Sequence, residues 1–213
     1  MKRIVLLCYI CALCLSCSTQ SSSDDQASIE ENFYALRVGN SWVYKNYKYN
    51  PATQFYDDIG VIDSISIIGT EELKGQTFYK FRRYTTGNEE GIAFCNPNGE
   101  HFELLRDSIG FLIRNDGSIK YVSNNYDEHL IETQSWGDQY FQLQDNDVQI
   151  GLPSGTFTSL NLLHFVRLSN NQVAPGMNNY YYSKGVGRVF ETNSFVSDDT
   201  HQIEKRLHSY TIH

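Results

Sequence analysis

The side chains of this chain that could do chemistry fall into small groups, and each implies a specific reaction or ligand. Asp198-Asp199 stands just ahead of His201, a carboxylate and imidazole grouping of the kind that holds a cation. His101, His129, His164, His208 and His213 show no i, i+2 or i, i+4 pairing that would aim two imidazoles at one ion, so no metal site is predicted and Asp198 to His201 reads as a solvated loop. His164 lies between apolar neighbours and reads as a satisfied core histidine. Lys184-Gly185-Val186-Gly187 has the flavour of a phosphate loop. It lacks the third glycine and the following helix, which makes a bulge or hairpin the better reading. Asp57-Asp58, Glu71-Glu72 and Glu89-Glu90 are adjacent pairs, and neighbours along a strand point to opposite faces, so none forms a glycosidase pair by spacing alone. Ser154 sits in a Pro-Ser-Gly turn and not in a nucleophile elbow, and Cys95 reads as buried and inert. No catalytic residue and no cofactor is predicted.

The remaining chemistry is aromatic. Tyr180, Tyr181 and Tyr182 place rings on both sides of one strand, and a tyrosine joins a flat apolar body to a polar tip suited to glycans or amphiphiles. With Leu163 and Phe165 of a neighbouring strand they form the predicted ligand-binding set. The competing reading is that these rings only fill the two faces of the sheet.

Those residues must be positioned by strands. Val148 to Leu152, a Pro153-Ser154-Gly155 turn and the run from Phe157 to Leu168 predict a hairpin whose long second strand is apolar on both faces, hence central in a sheet. Tyr180 to Tyr182 then leads through the two glycines into Val189 to Thr192. Upstream, Trp42, Tyr44 and Tyr47 open a strand after a Gly39-Asn40 turn. Ile59 to Ile68 and Phe78 to Tyr84 predict two more strands across a loop at Gly69 to Thr77. Ile92 to Cys95 and His101 to Arg106 flank Asn96-Pro97-Asn98-Gly99, and Ile109 to Arg114 and Ser118 to Val122 flank Asn115-Asp116-Gly117, which predicts two hairpins. Asn124 to Thr133 is open between loop and short helix, Trp136 to Leu143 is strand-like, and Ile203 to Ile212 is the last strand. The predicted fold is all-β, an antiparallel meander of about eight to eleven strands forming an open or half-closed barrel, lipocalin-like or lipoprotein-carrier-like. At most one or two short helices are expected, one of them opening at the Ser28-Ile29-Glu30-Glu31 capping box and reaching Leu36.

The amino terminus carries an address. Lys2 and Arg3 precede an apolar run from Ile4 to Leu15 that is too short to span a bilayer as a helix. Cys14-Leu15-Ser16-Cys17 resembles a bacterial lipobox, with Cys14 where the usual pattern has leucine. The resemblance implies a signal peptide at residues 1–16, diacylation of Cys17, and an anchor of two or three chains where one would be marginal. Ordinary cleavage and release is the alternative. Residues 17–27 are polar and form the expected tether, and 28–213 form a single domain, a size that all-β chains fill as one unit. Ser22-Ser23-Asp24-Asp25 resembles the export signal of surface lipoproteins of the Bacteroidota, leaving both faces of the outer membrane open as the location. Loss of Lys2 and Arg3 leaves 15 basic against 25 acidic residues, a net charge of −10. An acidic chain without a basic cluster argues against nucleic acid as a partner.

Gly39-Asn40-Ser41-Trp42, Gly155-Thr156-Phe157 and Tyr182-x-Lys184-Gly185-Val186-Gly187-x-Val189 together resemble uncharacterised envelope lipoproteins of the Bacteroidota. That resemblance implies an open β-meander and brings no activity with it. Two function classes follow. One is a membrane-anchored, non-catalytic module that binds a glycan, an amphiphile or another envelope protein; the other is a hydrolase-type enzyme whose site assembles only in three dimensions. A pocket of clustered acids or histidines would favour the enzyme, and an apolar concavity or aromatic platform would favour binding.

Overall fold

The computed structural model describes residues 32–144 and 146–213. The predicted signal peptide at 1–16, the tether at 17–27 with Cys17, and the capping box at Ser28 lie outside them. Among the described residues there is no helix. Thirteen strands run in chain order: β1 Ser41–Asn50, β2 Phe55–Leu73, β3 Gln76–Thr86, β4 Gly99–Ser108, β5 Phe111–Arg114, β6 Ile119–Val122, β7 His129–Gln134, β8 Gly137–Leu143, β9 Val148–Leu152, β10 Gly155–Leu168, β11 Asn178–Ser183, β12 Gly187–Asn193 and β13 Ile203–Thr211.

They form one antiparallel sheet ordered β6-β5-β4-β3-β2-β1-β13-β12-β11-β10-β8-β7, with β9 paired to the first half of β10. The path is a meander whose last strand bonds to its first, so β1 and β13 lie mid-sheet and the free edges β6 and β7 are consecutive in sequence. The sheet does not close by backbone hydrogen bonds. Side chains span the gap instead: the Tyr121 ring of β6 lies 3.9 Å from that of Tyr182 on β11, and its hydroxyl donates to the Leu160 carbonyl at 2.9 Å. Phe111 of β5 meets His129 of β7 edge-on at 5.8 Å.

The predicted helix reaching Leu36 is a turn over its described part. Ala35 has φ of 53°, which no right-handed helix accepts, and the Asn32 side chain takes both backbone polar groups of Leu36. Tyr34, Ala35 and Leu36 are buried in the main apolar cluster. Two other expectations need correction. The loop predicted at Gly69 to Thr77 is strand on either side of Lys74 and Gly75, which both take positive φ (52° and 73°) and make a two-residue turn whose twist suits a hairpin. Glu71 then pairs with Lys80 across the ladder at 2.7 Å. Conversely, Ile92 to Cys95 is not a strand. The Asn88 side chain donates to the Asn96 carbonyl and accepts from the Ile92 amide, and the Asn98 side chain accepts the Asn88 amide, so local amide bonds replace ladder pairing over 87–98. The strand count of thirteen exceeds the expected eight to eleven partly because β7 arises from the segment left open between loop and helix.

Candidate functional site

Side-chain alternation puts one set of residues on the inner face of the curled sheet, and the register aligns them across strands. The ladder pairs Trp42 with Ile65, Ile65 with Arg83 and Arg83 with His101 from β1 to β4. On the other side Lys205 lies opposite Glu191, and Glu191 opposite Tyr180. These residues line a cavity of about 730 Å³, together with Phe81, Phe102, Glu103, Arg114, Lys120, His164, Tyr182 and Arg188. Its walls are therefore part aromatic and part charged.

Three acid and base groups sit on this face. Asp63 and Lys205 pair at 3.0 Å with both side chains almost wholly buried. Asp63 also accepts from Thr85 at 2.5 Å and Asn96 at 3.0 Å. Burial alone would raise its carboxyl, but Lys205 and these donors hold it down at about 2. Glu191 binds Arg188 at 2.6 Å and accepts from Asn193 at 3.0 Å. Burial works against its charge too, yet Arg188 and Lys205 keep its carboxyl below the usual range. Glu103 serves two cations, Arg114 at 2.6 Å and Lys120, and burial lowers the Lys120 ammonium to about 8 against the pull of Glu103. Arg83 has no ion pair among the described residues, and its buried Nε has no hydrogen-bond partner in the protein. Burial depresses its guanidinium, with Asp63 and Glu103 countering and Arg188 adding to the depression.

The predicted ligand set reaches two adjacent strands and splits between two surfaces. Tyr180 and Tyr182 face the cavity. Tyr181, Leu163 and Phe165 are on the opposite face, where Tyr181 stacks on Phe190 at 5.5 Å and Phe165 on Tyr140 at 5.7 Å beneath the Arg167 guanidinium. His164 departs from the expectation of a satisfied core histidine. It lines the cavity, its ring lies against Phe141 and Tyr180, and its buried Nε2 has no partner in the protein. Burial lowers it to about 4, so it is neutral at physiological pH.

The other residues singled out in the sequence take structural roles, and Cys95, expected to be buried, is only partly so. Gly185 and Gly187 take positive φ (73° and 91°) in the β11–β12 hairpin. Ser154 donates to the Leu207 carbonyl at 2.8 Å from its turn. Asp198 binds the Thr200 amide and the Gln202 side chain, while His201 Nδ1 and Ser194 share a hydrogen bond of 2.7 Å. Cys95 is half-buried, and burial raises its thiol to about 11. Sequence reasoning missed Arg83, Glu103, Lys120, Arg188, Glu191 and Lys205. The one available signal was a charge on the face opposite Phe190 in the strand Val189 to Thr192; Lys205, flanked by Glu204 and Arg206, gave none.

No family model and no curated protein matches the chain. Among solved structures, its fold is similar to that of a lipoprotein candidate from Parabacteroides distasonis ATCC 8503, with a TM-score of 0.52 at 15% identity over 85% of this chain and 99% of that one. A candidate exported protein with a YmcC-like fold from Bacteroides fragilis NCTC 9343 is similar at a TM-score of 0.49 and 10% identity, over 85% of this chain and 99% of that one. At 15% identity the first likeness bears on fold alone.

Proposed function

We propose that this chain is a lipid-anchored protein of the bacterial cell envelope that binds a small ligand, a glycan or an amphiphile, on its concave face without transforming it. The observation that carries the reading is the cavity of about 730 Å³, within the size range of small-molecule sites and walled by aromatic rings and fixed polar groups. Tyr180 and Tyr182 supply two of those rings. The anchor is Cys17, the tether 17–27, and the membrane the outer membrane, where both the cell surface and the periplasmic face suit such a domain. The resemblance of the Gly-Asn-x-Trp and Gly-Val-Gly segments to envelope lipoproteins of the Bacteroidota supports this placement. The two segments meet in the fold, where the Trp42 indole N–H donates to the Val186 carbonyl at 2.7 Å.

Clustered acids and histidines on this face match the criterion set for a hydrolase, but their state favours binding. Asp63, Glu103 and Glu191 are each held ionised by a cation, and a carboxylate held far below neutral pH is a poor proton donor or acceptor there. Two experiments test the reading. Cys17→Ala should move the protein from the membrane to the soluble fraction of cells, and full membrane retention would refute the anchor. Tyr180→Ala should weaken binding to whichever member of a glycan and fatty-acid panel the parent binds, with the melting temperature measured alongside. A destabilised variant and a parent with no ligand would leave the rings a purely structural role.

A further inference from the structure

The charge on the cavity wall runs against the charge of the chain. Formal net charge is −8 overall. On the inner face Asp63 is matched by Lys205 and Glu191 by Arg188, whereas Glu103 is shared by Arg114 and Lys120, and Arg83 makes no ion pair among the described residues, Asp63 and Glu103 acting on it only at longer range. The inner face thus carries two more cations than acids in an acidic protein. A low-dielectric wall strengthens such a field, and a half-buried cation without an ion pair, such as Arg83, is costly to keep. Packing would be better served by an apolar side chain at position 83. The same wall presents Arg83 Nε and His164 Nε2 without partners in the protein, both lining the cavity.

We propose that the cavity is an anion site: it takes an organic acid whose acidic group lies against Arg83, Lys120 and Arg188 and whose body lies on Trp42, Phe81 and Tyr180. This rests on the binding reading above and specifies the ligand's chemistry. Arg83 and Lys120 supply the charge that the protein leaves unbalanced. Arg188, already paired with Glu191, adds field and a planar donor surface. The rings select for an apolar chain or the flat face of a sugar, which fatty acids and sugar acids both offer beside a carboxylate.

Calorimetric titration of the purified full chain with two acids and their neutral counterparts tests this: octanoate against 1-octanol, and glucuronate against glucose. At least one acid should bind about tenfold more tightly than its counterpart, and the pair that shows the preference identifies the lipid or the sugar source. Arg83→Met should abolish that preference while the melting temperature holds or rises, since the variant removes a half-buried charge that makes no ion pair and whose Nε has no hydrogen-bond partner in the protein. Arg82→Met is the control, because Arg82 is on the opposite face and bonds Glu100 at 2.5 Å. Should Arg83→Met fail to fold, Lys120→Met gives the same readout, Arg114 remaining on Glu103. Equal affinity for acids and neutral counterparts, or undiminished preference in the folded variant, would overturn the anion site and leave the binding reading intact. Absence of binding by all four probes and by the glycan and fatty-acid panel would overturn both.

Discussion

Lys205 shows how a single residue on this inner face can matter more than its sequence context suggests. Its side chain is 3% exposed and its partner Asp63 is 0% exposed, so Lys205→Met would strand a carboxylate with no water to solvate it. Removing one member of a buried pair costs about 3–5 kcal/mol, and urea unfolding of Lys205→Met should show a loss of that order. A loss near zero would mean the pair is solvated. His164 makes a second, pH-dependent prediction. Its folded value of about 4 lies below the ordinary 6.5, so as pH falls through 6.5 the unfolded chain takes up a proton that the folded chain refuses. Stability therefore declines from pH 6.5 to pH 4. Asp63, at about 2 against an ordinary 3.8, adds a separate loss between those lower values. Melting temperatures between pH 7 and pH 4.5 should fall for the parent and fall less for His164→Phe, which keeps the ring contacts with Phe141 and Tyr180. Equal slopes would place the acid sensitivity elsewhere. Neither residue was legible in the sequence, because an apolar flank made His164 look satisfied and a charged flank made Lys205 look solvated.

Strands and hairpins were more legible, and their failures have local causes. The turns at Asn115 to Gly117 and Pro153 to Gly155 close hairpins as their composition implies, with Gly117 at φ of 90° and Gly155 at φ of 136°. Asn96 to Gly99 has equally good turn chemistry but spends it inside a loop, since Asn88 competes for the same backbone groups. The β11–β12 hairpin is where local sequence and long-range packing agree. Gly187 has φ of 91°, and a Cβ there would come within 3.5 Å of the Tyr34 carbonyl and 3.9 Å of the Trp42 indole. Gly187→Ala should cost about 1–3 kcal/mol through backbone strain. Trp42→Phe keeps the burial and removes the indole N–H bonded to Val186, for about 0.5–1.5 kcal/mol. Because the two sites touch, the double variant should depart from additivity in urea unfolding, and strict additivity would mean that the hairpin and β1 are uncoupled.

The whole molecule explains why the cavity could not be read from the chain. Its walls run from Tyr34 to Lys205, and the pairing of β13 with β1 brings the strand of Lys205 beside that of Trp42 and Tyr44. A meander of local hairpins is visible in a sequence, whereas the pairing of the last strand with the first leaves no local trace there. The same topology leaves one gap, between β6 and β7, that backbone hydrogen bonds do not bridge. Tyr121 carries much of that closure, being 0% exposed, packed on Tyr182 and bonded to the Leu160 carbonyl. Truncating a large buried ring to alanine costs about 3–5 kcal/mol, and here the cost should be localised. Hydrogen exchange in the parent should be slowest in β1, β13 and β12, which have paired neighbours on both sides, and fastest in β6 and β7. In Tyr121→Ala, exchange should quicken most in β5 and β6, which depend on the seam, and least in β1 and β13. Uniform quickening would mean that the seam is part of the global cooperative unit and does not open by itself.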